Sequence, residues 1–275
     1  MPLGLGVVLT FSRGTLIALG VGLAVLCLLA ATRAQLRAAA VALAAMVVAS
    51  GIGIAFEGVR TLDGSTGARE AQGAAMLVVL LLLMGAVAWL GLREPPAGRV
   101  RRPWPTALAG AGAVALVALA LSVAGAGPSA GTPAAGADPA RLASTQSNRY
   151  AYWRVALDSF AAHPLKGVGS GGFRVEWRRE REVGDPARDA HSLYLESAAE
   201  LGLVGLLLLG TAIAAVTVSA VQARRRDAAA SAGLIAALAL WAVHAGIDWD
   251  WEMPALTLVA LAFAAALTCR PEPAG

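Results

Sequence analysis

The sequence is poor in charge. Only 15% of its 275 residues are Asp, Glu, Lys or Arg, whereas charged residues make up about a quarter of a typical soluble domain. Together with a hydrophobic content of 57%, this composition excludes an ordinary soluble globular domain. Lysine occurs once, at Lys166, and cysteine twice, at Cys27 and Cys269. Two cysteines in apolar surroundings are too few for a disulfide framework or a metal site.

Long apolar runs fill most of the chain. A helix needs about 20 predominantly apolar residues to cross a bilayer, and backbone polar groups in lipid must be satisfied within helices or closed barrels. The runs are continuous Leu, Ala and Val, not the short alternating segments of a barrel. The sequence therefore predicts an all-α polytopic membrane protein with about seven transmembrane helices. They are expected at residues 15–31, 38–56, 73–92, 106–124, 201–221, 228–247 and 255–268.

The N-terminus has an unusual pattern. Residues 1–11 are apolar but too short to span a bilayer, and they lack the basic region that opens a signal peptide. We interpret them as the stub of a helix whose beginning is absent, so we expect a fragment. We divide the chain into N-terminal transmembrane helices at 1–124, an extracytoplasmic catalytic loop with short helices at 125–200, and C-terminal transmembrane helices at 201–275.

The basic residues predict the orientation. Alternation places the loops at 32–37, 93–105 and 224–227 on the same side as the tail after Arg270, and all four are basic. Short basic loops stay in the cytoplasm, so the sequence predicts a multi-pass membrane protein whose basic loops are cytoplasmic and whose large loop lies outside. Topology also explains the net charge of +4, so we expect membrane lipids as partners and no nucleic acid.

The polar segment 148–200 holds the residues able to do chemistry. Helical spacing of Tyr152, Val155 and Ser159 predicts a helix that ends before Pro164. The glycine-rich run 167–172 is either a flexible connector or a turn that offers N–H groups to phosphate. The arginine-dense stretch at 174–181 is either a surface helix on anionic headgroups or part of a binding site.

His191 is the strongest candidate for catalysis. It precedes an apolar helical run and shares its segment with Glu196 and Glu200. Histidine is a natural general base near neutral pH. The alternative is a histidine at a helix N-terminus in the polar interface. Arg13 and Arg149 offer planar forks of donors that match phosphate oxygens, with plain surface charge as the alternative.

The C-terminal acidic turn gives a weaker signal. Asp248, Asp250 and Glu252 follow His244, but their spacing matches no strong metal-binding motif. We therefore expect neither a metal nor a cofactor.

Three elements of the sequence resemble the O-antigen ligase and polymerase family of membrane glycosyltransferases. The first is Thr-Phe-Ser-Arg-Gly at 10–14, which opens a span. The second runs from Arg149 through Trp153 to His-Pro-Leu-Lys-Gly-Val-Gly at 163–169. The third is Asp-Ala-His-Ser-Leu-Tyr-Leu-Glu at 189–196, followed by Glu-Leu-Gly at 200–202. The order of these elements matches the family, and the resemblance extends over the whole chain, aligned to the C-terminal part of a family member.

The resemblance implies a function. The donor would be a glycan linked to a polyprenyl diphosphate, and the acceptor a hydroxyl of a glycan or lipid. The resemblance also implies that the protein lies in the bacterial cytoplasmic membrane and acts on its outer face. Transfer would proceed with inversion and without a metal. Arg13 and Arg149 would hold the diphosphate and His191 would deprotonate the acceptor hydroxyl. We place Arg174 and Glu196 with the substrate-binding residues.

Other functions remain open at this point. A polysaccharide polymerase of the same family would carry the same elements. A transporter of lipid-linked glycan is disfavoured, because the spans have almost no midspan charge and the chain shows no internal repeat. A non-catalytic membrane fragment is the third alternative.

Overall fold

The computed structural model describes residues 12–29, 32–60, 64–91, 148–182 and 184–269. Within these ranges the chain is helical and contains no strand. The helices are α1 (Arg13–Leu29), α2 (Arg33–Ala55), α3 (Glu57–Arg60), α4 (Thr66–Gly91), α5 (Arg149–Ala162), α6 (Phe173–Glu180), α7 (Leu193–Arg226), α8 (Ala228–Ala245) and α9 (Pro254–Thr268), with a 3-10 turn at Asp250–Glu252. The predicted stub at 1–11 and the predicted span at 106–124 lie outside the described residues.

Four helical stretches are long and apolar enough to cross a membrane. They are Arg33–Ala55, Thr66–Ala86, Leu193–Arg226 and Ala228–Ala245. The predicted class of all-helical membrane protein is therefore confirmed. The spans expected at 15–31 and 255–268 correspond to α1 and α9, apolar helices of 17 and 15 residues, which are shorter than the usual span of about 20. The number of seven spans stays a prediction.

The chain forms two compact units, Met1–Thr145 and Gln146–Gly275. In the first, α2 begins at a capping box, where the Thr32 hydroxyl accepts from the Gln35 N–H and the Gln35 side chain accepts from the Thr32 N–H. Helices α2 and α4 pack around Ala49 and Leu80. Helix α4 begins seven residues before the predicted span, at Thr66, because the Ser65 hydroxyl accepts from the Ala68 N–H and starts the helix there.

In the second unit, α7, α8 and α9 pack against one another. Helix α7 has 34 residues, which at 1.5 Å per residue is roughly 50 Å. At one end, the Asp227 side chain accepts from the Ala229 and Ala230 N–H groups and caps α8. There the Arg226 guanidinium donates to the Leu267 carbonyl at 3.0 Å. The N-terminus of α7 lies at the other end, and α5 packs on it.

A kink divides α7 at Gly202, whose φ of 64° is not helical. The loop that follows α5 fills the break. The Ala199 and Glu200 carbonyls accept from the Val168 and Gly169 N–H groups, both at 2.9 Å. In return, the Leu203 and Val204 N–H groups donate to the carbonyls of Pro164 and Leu165. These four groups of α7 would have bonded to each other in a straight helix, so the loop replaces both lost bonds and these four groups keep partners.

Candidate active site

His191 lies in a tight turn immediately before α7. Its φ is 52°, and it is the only residue other than glycine with a positive φ among those described. The turn is fastened on both sides: the Ala190 N–H donates to Glu196 Oε2 at 2.8 Å, and the Ser192 hydroxyl caps α7 by accepting from the Leu195 N–H. Strained backbone of this kind persists when surrounding contacts hold it, and it concentrates at functional sites.

Asp189 is the partner of the His191 ring. Its Oδ1 lies 2.6 Å from His191 Nδ1 and also accepts from the His191 N–H at 3.2 Å. The His191 side chain is 22% exposed to solvent. Burial lowers the pKa of His191, but the hydrogen bond and negative charge of Asp189, helped by Asp248, outweigh burial and raise the pKa above its ordinary value. The dyad therefore holds an imidazole of raised basicity at a partly open position.

A buried aromatic cluster packs against the His191 ring. The Tyr152 ring lies 5.0 Å from the His191 ring and packs edge-on against Trp177 at 4.8 Å, both measured between centroids. The Tyr152 hydroxyl donates to Asp185, which also accepts from Asn148 Nδ2 at 2.9 Å. These two hydrogen bonds lower the pKa of Asp185, and burial together with Asp185 raises the pKa of Tyr152. The cluster fixes α5 and α6 against the His191 turn.

Arg149, the first residue of α5, pairs with Asp248 in the turn after α8. Its Nη2 lies 2.5 Å from Asp248 Oδ2, and the two side chains are 29% and 13% exposed. A second pair holds this turn, because His244 Nδ1 lies 2.6 Å from Asp250 Oδ2. The Arg149 guanidinium is thus oriented by a carboxylate that also acts electrostatically on His191.

An open cavity of about 870 Å³ lies beside these residues. Both charged and neutral polar groups line it, together with one indole. The lining residues are Ser170, Gly171, Arg174, Arg188, Glu196, Glu200, Trp251, Glu252, Pro254 and Thr257. Its volume falls in the range of roughly 300–1,000 Å³ that is usual for small-molecule sites.

The structure brings together four of the five predicted site residues in one unit. Glu196 and Arg174 line the cavity, and Glu196 also fastens the turn of His191. Arg149 lies in the same unit through its pair with Asp248. Arg13 lies in the other unit, as the first residue of α1. The roles of all five residues remain predictions.

The glycine-rich run differs from a flexible connector. Its Val168 and Gly169 N–H groups donate to carbonyls of α7, and the Glu200 carboxylate accepts from the N–H groups of Gly171 and Phe173 at 2.9 and 3.1 Å. The run is therefore a loop docked on α7. The expected end of the preceding helix is confirmed, since α5 ends at Ala162, two residues before Pro164.

Sequence reasoning gave no role to several residues of the site. Asp189 follows the pattern Asp-x-His, which is a local signal for a carboxylate that bonds the next turn. Asp248 and Glu252 gave no comparable signal, because their partners lie 99 and 56 residues away in the chain. Among the described residues, no group of three His, Cys, Asp or Glu side chains is arranged to hold a metal ion.

The fold and the site define an integral membrane protein with a polar, histidine-containing site at one end of its helices. The model of the family described as O-antigen ligase matches residues 65–210, more than half of the chain. The chain therefore belongs to the O-antigen ligase family, a family of membrane enzymes of the ligase or glycosyltransferase type. The match includes α5, the docked loop, the His191 turn and the kink of α7. No curated protein and no solved structure matches the chain.

Proposed function

We propose that the protein transfers a glycan from a polyprenyl-diphosphate carrier to a hydroxyl group of an acceptor. The observation that supports this most strongly is the His191–Asp189 dyad, held in a strained turn beside both the Arg149–Asp248 pair and a polar cavity. A base, an oriented cation and a polar cavity are the three parts that transfer from a diphosphate requires.

His191 acts as the general base. Its Nδ1 is engaged by Asp189, which leaves Nε2 as the nitrogen that takes the proton of the acceptor hydroxyl. The acceptor oxygen then bonds to the anomeric carbon from the side opposite the diphosphate, and the bond between that carbon and the diphosphate oxygen breaks. The configuration at the carbon is inverted. Asp189 stabilises the imidazolium that forms.

Arginines stabilise the leaving group. As the glycosidic bond breaks, negative charge builds on the carrier diphosphate, and fixed guanidinium groups offset that charge without a metal ion. Arg149 has the pre-oriented geometry for this role because Asp248 holds it. In the proposal, Arg174 and Glu196 bind the glycan in the cavity.

The two ends of the second unit support an orientation. Arg224, Arg225 and Arg226 end α7, and the His191 turn precedes its other end. Because short arginine-rich loops stay in the cytoplasm, we place the arginine end of α7 on the cytoplasmic side of the bacterial cytoplasmic membrane. The dyad then lies on the outer face.

Transfer of labelled glycan tests the function directly. Membranes that contain the chain receive a polyprenyl-diphosphate-linked donor, with and without chelator, beside the variants His191→Ala and His163→Ala. His163 is an exposed histidine at the end of α5 and serves as the matched control. We expect chelator-resistant transfer that falls by about 10²–10⁴-fold in His191→Ala and persists in His163→Ala. Equal rates in wild type and His191→Ala contradict the proposal.

The choice of acceptor separates a ligase from a polymerase. The same assay is run with a lipid acceptor and, separately, with a second lipid-linked glycan as acceptor. We expect transfer to the lipid acceptor. Products that lengthen only on the glycan would assign the protein as a polymerase.

A further inference from the structure

Part of the cavity lining comes from the turn after α8 and the start of α9. Trp251, Glu252 and Thr257 belong to this part, whereas Arg174 and Glu196 come from α6 and α7. Two distant parts of the chain therefore line one space, and each supplies a carboxyl group to it.

The two carboxyl groups, Glu196 and Glu252, line the same cavity and act on each other electrostatically. Glu196 is 6% exposed and its Oε2 already accepts from the Ala190 N–H. The side chain of Glu252 is exposed, so of the two carboxyl groups it is the one open to whatever enters the cavity.

The rest of the lining suits a sugar ring. Sugar hydroxyls donate hydrogen bonds to carboxylate oxygens and accept them from guanidinium groups, and an aromatic ring packs on the apolar face of a pyranose. Trp251 supplies the ring. Arg174 and Arg188 add exposed donors at the rim.

We propose that Glu252, which lines the same cavity as Glu196, is a specificity-determining residue that binds the hydroxyl groups of a glycan sugar there. The inference rests on the proposed function and goes beyond it, because it assigns the recognition of the glycan to the C-terminal turn.

Two measurements on the purified full chain in detergent test the role of Glu252. The first is the shift in melting temperature caused by the free oligosaccharide that mild acid releases from lipid-linked glycan of the producing cells. The second is KM and kcat for the intact lipid-linked glycan. The variants are Glu252→Ala and Glu252→Gln, and the control is Glu180→Gln, an exposed carboxyl on α6 outside the cavity lining.

We expect the oligosaccharide to stabilise wild type and Glu180→Gln but not Glu252→Ala. KM should rise about tenfold in Glu252→Ala, which corresponds to the loss of one ordinary hydrogen-bonded contact, while kcat changes little. Glu252→Gln keeps the shape of the side chain and should show a smaller rise in KM, which also guards against a variant that fails to fold.

The outcomes separate this inference from the proposed function. Unchanged KM and an unchanged melting shift in both Glu252 variants overturn the role of Glu252 even when wild type transfers glycan. No melting shift in wild type overturns it as well. A shift that disappears in Glu252→Ala, in a protein that transfers nothing, would preserve the sugar site and contradict the transfer reaction alone.

Discussion

A β-carbon on Gly202 would lie 2.7 Å from the backbone nitrogen of Gly167. Both glycines have a φ of 64°, in the left-handed region that favours glycine, and each would collide with the backbone of the other segment if it carried a side chain. The two glycines come from the second and third family-like elements, Pro-Leu-Lys-Gly and Glu-Leu-Gly. Their contact explains why both elements need glycine: they are the two sides of one joint.

Replacing Gly202 by alanine should destabilise the protein. The added β-carbon would stand 2.6 Å from the Leu165 carbonyl carbon, and the residue would keep a left-handed φ, so the loss should be about 1–3 kcal/mol or more. The measurement is the melting temperature of the purified variant in detergent. Because the joint fixes the loop beside α7, we expect reduced transfer in the same variant.

Gly210→Ala is the matched control. Gly210 lies in the same helix with open space around it, and alanine in a helix interior is more stable than glycine by roughly 0.5–1 kcal/mol. The control should be unchanged or slightly stabilised. Equal melting temperatures for the two variants would show that the joint does not limit stability.

The sequence predicted the helices better than it predicted the joint. The end of α5 followed from Pro164, which restricts the residue before it. The apolar runs located α2, α4, α7 and α8, although the first three of these helices begin five to eight residues before the predicted spans. The glycine run at 167–172 was interpreted as a possible flexible connector. Its hydrogen-bond partners could not be recognised from the sequence, because they lie about 30 residues later in the chain. A local pattern shows that glycines permit unusual backbone, but it does not show which segment will approach them.

The candidate site divides in the same way. His191 stood out because one short stretch carries both it and the helix start. Asp189 belonged to the same stretch, but the sequence assigned it no role. Its bond to the His191 ring forms in a turn where His191 has a positive φ. Glu252 required the packing of α7, α8 and α9 to bring it to Glu196, and hydrophobic periodicity does not predict that register.

Asp189→Asn should change how transfer depends on pH. Asp189 raises the pKa of His191 above 6.5, so in wild type the base is lost as pH falls through that raised pKa. The asparagine removes the negative charge, the pKa of His191 falls, and the acid limb of the kcat profile should move to lower pH. The rate at the plateau should also fall, because a weaker and less firmly oriented base takes the proton.

Asp158→Asn provides the control for this profile. Asp158 is an exposed residue of α5, and its removal should leave both the limb and the plateau in place. An acid limb that stays at the same pH in Asp189→Asn would show that another group is titrating.

Arg149→Ala should weaken the binding of the donor. Removal of the guanidinium takes away a diphosphate contact and leaves the largely buried Asp248 without that partner. A double-mutant cycle with Asp248→Asn separates the two effects. In the absence of donor, the melting data should give a coupling of about 0.5–3 kcal/mol between the two residues.

Donor affinity then decides the role of Arg149. If Arg149 binds the diphosphate itself, its replacement should weaken donor binding in the Asp248→Asn background as well. The control is Arg154→Ala, an exposed arginine of the same helix, which should bind donor like wild type. A loss of affinity that vanishes in the Asp248→Asn background would assign Arg149 to stabilising the turn only.

The orientation of the protein in the membrane can be tested by labelling two reactive residues, Lys166 and Cys269. Lys166 is the single lysine and lies exposed in the docked loop, at the end of the unit that holds the dyad. Cys269 is exposed at the opposite end, where its carbonyl accepts from Arg226.

A membrane-impermeant amine reagent should therefore label Lys166 in intact spheroplasts, with Lys166→Arg as the control for the N-terminal amine. An impermeant maleimide should label Cys269 only after the membrane is opened, and Cys269→Ser controls for Cys27. The reverse pattern would place the dyad in the cytoplasm, on the wrong face for a glycan that is assembled into the cell envelope.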